Sequence, residues 1–357
     1  MKKARALVYT GGYFTLVNGK STHGLLRHSD RFEITGVIDE PHAGMDAGVL
    51  LDGVHRNVPV YGTFPDAMED QEEKPEYLIL GIATPGGKMP GEIKEVMYLA
   101  LKEGMKVVNC LHELFSGDEE AVRLAGRNGG EIIDLRKSKP FDELHFFSGD
   151  ILSVKAPRIA FLGTDCALGK RTTAVLLIEE LASRGVHAEL VYTGQTGWLQ
   201  GFGYGLILDA TPNDFVSGEL EHEVARCDRE THPDLILIEG QSSLRNPSGP
   251  CGSEILLSCM AKGTVLQHAP RRMFYEPLGG FPWPIPPLKD EIKLVEMYGS
   301  EVIAVSLYEG GMDRERELSE WKRYYRGELG RPVVAPVSDG ADELAEIAIQ
   351  FMEEHKK

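Results

Sequence analysis

Short apolar runs alternate with segments of helical period along the whole chain. The runs Ala6 to Tyr9, Ile34 to Ile38, Tyr77 to Leu80, Val107 to Asn109 and Ile132 to Ile133 have the length and flanks of strands. Between the third and the fourth lies GEIKEVMYLALKEG, where Ile93, Val96, Met97, Ala100 and Leu101 make one apolar stripe and Gly104 supplies a stop signal. Strand, helix, strand repetition predicts parallel pairing through right-handed crossovers. From Lys137 to Pro157 the text KSKPFDELHFFSGDILSVKAP follows neither period, and a domain boundary is placed there, dividing the chain into residues 1–145 and 146–357. A second alternation then begins. Its predicted strands are Arg158 to Leu162, Ala188 to Tyr192, Leu235 to Ile238, Thr264 to Gln267, Val302 to Leu307 and Val333 to Ala335. The third of these is apolar throughout, as expected of a strand covered on both faces. FPWPIPP, Phe281 to Pro287, predicts a rigid loop ahead of a helix starting near Leu288, and a last helix is expected over Ala341 to Glu354. The expected fold class is α/β, with an N-terminal Rossmann-like parallel-sheet domain and a C-terminal parallel-sheet domain of the P-loop type.

A length of 357 residues agrees with two cores, and a mix of 42% hydrophobic and 26% charged residues excludes disordered, collagenous and disulfide-scaffold chains. The 38 Lys and Arg against 55 Asp and Glu leave a formal charge of −17, which disfavours nucleic acid as a partner. A few oriented N–H groups and one lysine can still hold a small phosphate against such a diffuse field. The cysteines, Cys110, Cys166, Cys227, Cys251 and Cys259, show no Cys-x-x-Cys spacing, so reduced thiols are expected, with neither a disulfide framework nor a metal site. No stretch approaches the roughly 18 apolar residues of a membrane span, and the N-terminus reads as a first strand; a cytoplasmic location and no membrane partner are expected.

The most informative segment is RIAFLGTDCALGKRTTA, Arg158 to Ala174: an apolar strand, a turn with Gly163 and Gly169, then Lys170 opening a helical run. Glycines let backbone N–H groups curl around an anion, the helix N-terminus adds partial positive charge, and Lys170 adds a point charge. Five residues separate the glycines where the usual spacing has four, and Arg171 follows the lysine where a Mg-nucleotide enzyme places a hydroxyl; Thr172 and Thr173 come later. Gly163, Thr164, Asp165, Gly169, Lys170, Arg171, Thr172 and Thr173 are therefore the expected phosphate ligands.

DLILIEGQ drives a buried strand into Glu239, placing a carboxylate at the carboxyl edge of the sheet, where open α/β folds bind ligands. Glu239 would hold a metal, orient water or take a proton from a substrate amine. At the same edge, Gln195, Thr196 and Gln241 offer neutral hydrogen bonds, and Arg272 or Arg271 would clamp a carboxylate. His268 is a candidate proton carrier and equally a structural residue. With Asp165, it joins Glu239 in the expected catalytic set. Asp214 reads as a helix cap or a ligand. In the first half, Gly19, Lys20 and Ser21 lie between a strand and a helix, and Asp39 ends the second strand as a ribose-binding acid does, although the glycine spacing there is not that of a dinucleotide fingerprint.

Gly163-Thr164-Asp165 followed by Gly169-Lys170 resembles the loop of dethiobiotin synthetase and related P-loop ligases. GTDCALGKRTTA, TGQTGW, NDFVSG and IEGQSSL in that order, with GLLRHS, GVIDE, HELF and DLRK before them, resemble a two-domain bacterial and archaeal P-loop family that includes the D-glutamate N-acetyltransferases. That resemblance runs over nearly the whole chain. It implies acetyl transfer from acetyl-CoA to an amino acid such as D-glutamate, with the coenzyme diphosphate on Gly163 to Lys170 and no metal; a homo-oligomer is a separate expectation. The ligase resemblance implies instead ATP with Mg held by Thr172, Asp165 or Glu239. A nucleotide-binding regulator without turnover is the third reading.

Overall fold

The structure, a computed structural model, describes residues 2–276 and 281–356. Two compact units divide the chain: the first extends to Ser138 and takes in Gln195–Phe202, and the second comprises Lys139–Gly194 and the chain from Gly203 onward.

In the first unit β1 (Ala4–Tyr9), β2 (Phe32–Ile38), β3 (Val60–Tyr61), β4 (Tyr77–Leu80), β5 (Lys106–Asn109) and β6 (Glu131–Asp134) form one parallel sheet in the order β3-β2-β1-β4-β5-β6. The two-residue periodicity of β1 sends Leu7 to one face, into a cluster with Met97 and Leu101 of helix Gly91–Lys102. It sends Ala6 and Val8 to the other, with Leu25 and Leu26 of helix Lys20–Arg27. Gly104 ends the predicted helix signal at φ 71°, and a Cβ there would stand 2.6 Å from the Asn128 carbonyl oxygen, so both conformation and space require glycine.

Asp39 does not face a ribose site. Its carboxylate is fully buried and accepts hydrogen bonds from Thr10 Oγ1 (2.6 Å), Gly12 N (2.9 Å) and Phe14 N (3.2 Å), with His42 Nδ1 at 2.6 Å. The N–H groups that a dinucleotide fold offers to pyrophosphate are held here by the protein's own carboxylate.

In the second unit β7 (Arg158–Gly163), β8 (Ala188–Tyr192), β9 (Tyr204–Gly205), β10 (Leu235–Glu239), β11 (Gly263–His268), β12 (Glu301–Leu307) and β13 (Val333–Val334) pair in parallel in the order β13-β12-β11-β7-β10-β8-β9. The chain reverses direction across the sheet beside β7, which makes the carboxyl end of that strand the topological switch point. β3 (Val60–Tyr61) and β9 (Tyr204–Gly205) have no counterpart among the expected strands. Helix Asn213–Thr231 starts after Pro212, so Asp214 lies in its first turn, where an acid favours the helix dipole, and not at the cap.

That helix also anchors the stretch after Ser138. Glu219 accepts from Lys139 Nζ (2.6 Å) and from His145 N (2.8 Å), and Glu221 accepts from Ser148 N, Gly149 N and Ile151 N at 2.6, 2.8 and 3.1 Å. Burial alone would raise Glu219, but Lys139 and His145 hold it below its usual value. Gly218 makes this approach possible, since a Cβ there would sit 2.0 Å from the His145 carbonyl oxygen. Gly218→Ala is expected to destabilise the protein by about 1–3 kcal/mol, the range for overpacking. A lowered urea midpoint at unchanged m would show it, and an unaltered midpoint would mean the segment yields freely.

Candidate functional site

β7 runs directly into the turn Thr164 to Gly169 and helix Lys170–Ser183. Ala167 and Gly169 adopt left-handed conformations, with φ 52° and 84°, which bend the backbone into a concave turn of the kind that gathers N–H groups. The cap residue is Gly169, which makes no side-chain hydrogen bond to the first helical turn, so the leading N–H groups of the helix are left uncapped beside that turn among the described residues. At Gly163 a Cβ would lie 3.0 Å from Lys170 Nζ, so the missing side chain makes room for the ammonium.

Lys170 is buried, and its Nζ donates to the carbonyl oxygens of Asp165 and Ser242, each at 2.7 Å. Ser242 presents that carbonyl from a left-handed conformation at φ 41°. Burial pushes the lysine down from 10.5 to about 8, against the opposing pull of Cys166, Cys251, Asp165 and Glu239.

Asp165 is inaccessible to solvent and ties three loops together. Its Oδ1 accepts from Asn246 Nδ2 (3.0 Å) in the loop after β10, and its Oδ2 accepts from Arg272 Nη1 (2.9 Å) and Glu276 N (3.0 Å) in the loop after β11. Arg272 Nη1 also donates to the Cys166 carbonyl at 2.7 Å, so this guanidinium braces the phosphate loop.

Glu239 ends β10 next to β7, and Arg171 Nη1 donates to its Oε1 at 3.0 Å. Its Oε2 accepts from Thr193 N (3.2 Å), and Gln241 Nε2 donates to Thr193 Oγ1 (3.1 Å). Both Glu239 oxygens are therefore bound by the protein, with 4% of its side chain exposed.

His268 ends β11 with Nδ1 3.2 Å from Thr164 Oγ1 and Nε2 3.0 Å from Tyr325 Oη. Burial pushes it down to about 4, so its ring is neutral at physiological pH. Thr173 Oγ1 accepts from Gln267 Nε2, while Thr172 lies half-buried between Arg171 and Thr173. Gln195 and Thr196 begin helix Gln195–Gln200, which belongs to the first unit, where Thr196 Oγ1 donates to Ser21 Oγ at 3.2 Å.

Around this turn the second unit brings together Asp165, Lys170, Arg171, Glu239, Gln241 and Arg272 from the expected set. Asn246 and Tyr325 lie outside that set. Asn246 sits in SSLRNPSGP, whose composition signals only a turn, and Tyr325 lies on an exposed-looking helix far along the chain. Among the described residues no three His, Cys, Asp or Glu side chains gather as a metal site, and no helix is long and apolar enough to cross a membrane.

Two family models match this chain. Residues 145–345 match the P-loop domain described as a domain of unknown function (DUF1611_C), and residues 40–138 match its Rossmann-like partner (DUF1611_N). A protein of Tritonibacter scottomollicae named D-glutamate N-acetyltransferase is 29% identical over 75% of this chain and 80% of its own length. One of the same name from a Pseudoalteromonas species is 27% identical over 74% and 79%. The crystal structure of a DUF1611 family protein from Anabaena variabilis ATCC 29413 is 30% identical, with a TM-score of 0.88, covering 98% of this chain and all of that one.

Removing the carboxylate in Asp165→Ala leaves Arg272 and the Glu276 N–H without their partner, and is expected to cost about 3 kcal/mol in urea unfolding; an unchanged midpoint would contradict the clamp. A lysine titrating at about 8 loses its charge as the pH rises through that value. Affinity for inorganic pyrophosphate measured by calorimetry should therefore fall above pH 8, by up to about tenfold per unit. Lys170→Arg should flatten that decline.

Proposed function

The chain belongs to the two-domain DUF1611 family, and from that premise we propose that it is an N-acyltransferase that moves an acetyl group from acetyl-CoA to the amino group of an acidic amino acid such as D-glutamate. The observation that carries this reading is the phosphate loop itself. It has the concave turn, the uncapped helix start and the buried Lys170 that grip a diphosphate, yet Arg171 and Glu239 are paired where an ATP-hydrolysing loop holds magnesium. A coenzyme diphosphate needs the grip and not the metal. The two relatives named D-glutamate N-acetyltransferase support the same reading over three quarters of the chain.

Acetyl-CoA would supply the acyl group as a thioester. The protein's own part begins with Lys170 and the N–H groups of the turn, which bind the diphosphate and fix the donor in position. Asp165 keeps the loops after β7, β10 and β11 in one arrangement, so that the turn is preformed before ligand arrives.

The test mixes the protein with acetyl-CoA and a panel of D- and L-amino acids, following free thiol by a colorimetric reagent and the product by mass spectrometry. Thiol release dependent on D-glutamate, with an N-acetylated product, is expected. Release of ADP from ATP in its place would sink the proposal. Lys170→Met should weaken coenzyme A binding by about 10- to 100-fold, as loss of a charged hydrogen-bond donor does, while leaving the circular dichroism spectrum intact.

A further inference from the structure

Phosphate loops that act on nucleotides place a hydroxyl directly after the lysine and an acid at the end of a neighbouring strand, and the two hold a magnesium ion against the phosphates. The residues of this chain do not fit that ion. The position after Lys170 is Arg171, and the strand-end acid is Glu239; they are joined at 3.0 Å, with 19% and 4% of their side chains exposed. Glu239 has its second oxygen on the Thr193 N–H. The other acid of the turn, Asp165, is bound by Asn246, Arg272 and the Glu276 N–H. Thr173 Oγ1 is bonded by Gln267. A divalent cation entering here would meet a guanidinium cation in place of a neutral hydroxyl, and its acid is already paired.

We propose that Arg171 is a built-in counter-ion that replaces the divalent cation of other phosphate loops, so that this loop binds a diphosphate group free of metal. Glu239 is then the positioning residue that orients the guanidinium. Only Nη1 of Arg171 is engaged with Glu239, and among the described residues its other N–H groups have no protein partner. A guanidinium offers paired N–H groups matched to phosphate oxygens, which a strongly hydrated magnesium ion matches only by shedding water. The inference rests on the phosphate-loop reading of the site and not on which acyl donor, if any, carries the diphosphate.

Calorimetry with inorganic pyrophosphate, run in EDTA and again in millimolar magnesium after correction for the magnesium–pyrophosphate complex, tests it. The wild-type affinity for the free anion is expected to be the same within twofold in both. Arg171→Thr restores the hydroxyl and frees Glu239; its affinity in EDTA should fall about tenfold or more, and magnesium should recover a large part. Arg171→Lys keeps the charge and should stay indifferent to magnesium, which keeps the idea testable if the threonine variant folds poorly. A wild-type affinity that drops tenfold in EDTA, no pyrophosphate binding at millimolar concentration, or an Arg171→Thr protein that binds as wild type in EDTA would each overturn it. Metal-free pyrophosphate binding without acetyl transfer would remove the proposed reaction and leave this inference standing; acetyl transfer with magnesium-dependent binding would do the reverse.

Discussion

A single buried carboxylate organises the functional end of the second unit. Asp165 lies in the turn after β7 and receives hydrogen bonds from Asn246 in the loop after β10 and from Arg272 and the Glu276 N–H in the loop after β11. A carboxylate with no solvent contact is tolerable only when its charge is met by such donors, and here the donors come from two loops other than its own. Satisfying one ion therefore fixes the mutual placement of three loops at the switch point of the sheet. The left-handed bend at Ala167 and Gly169 and the burial of Lys170 against two carbonyls follow within that frame.

Charge around the turn is arranged so that cations outnumber free anions although the chain as a whole is strongly acidic. Asp165 and Glu239 are paired with Arg272 and Arg171, while Lys170 is the ammonium held, among the described residues, by neutral carbonyl oxygens. Its lowered titration is the mark of that situation: burial penalises the charge, and among the described residues no carboxylate hydrogen-bonds to it. An arriving phosphate would supply the missing counter-charge. Local pairing thus outweighs a net charge of −17, because distant exposed charges are screened by salt while buried pairs are screened much less.

The two units treat the same βαβ beginning in opposite ways. In the second, the N–H groups that follow the first strand of the sheet face a concave turn. In the first, the corresponding turn is closed from inside, because Asp39 takes the N–H groups of Gly12 and Phe14. An acid at the end of a second strand has the same appearance in sequence whether it reaches a ribose or folds back onto its own loop. Only its hydrogen bonds distinguish the two.

Much of the architecture was legible in the chain because periodicity is a local property. The continuous apolar run of β10 implied a covered parallel strand, the stripe from Ile93 to Leu101 implied a helix packed on one face, and strand, glycines, lysine and helix in order implied a phosphate turn. Arg171 after Lys170 already stood out as a departure from the metal-binding pattern. What tertiary structure alone decided is which side chains answer one another across long separations. Arg171 meets Glu239 and Asp165 meets Arg272, 68 and 107 positions apart, while the polar residues Glu219 and Glu221 prove to be anchors for the stretch after Ser138. Hydrophobic alternation specifies an element and its buried face; the partner of a buried charge is chosen by the packing of those elements, which no single stretch of sequence contains.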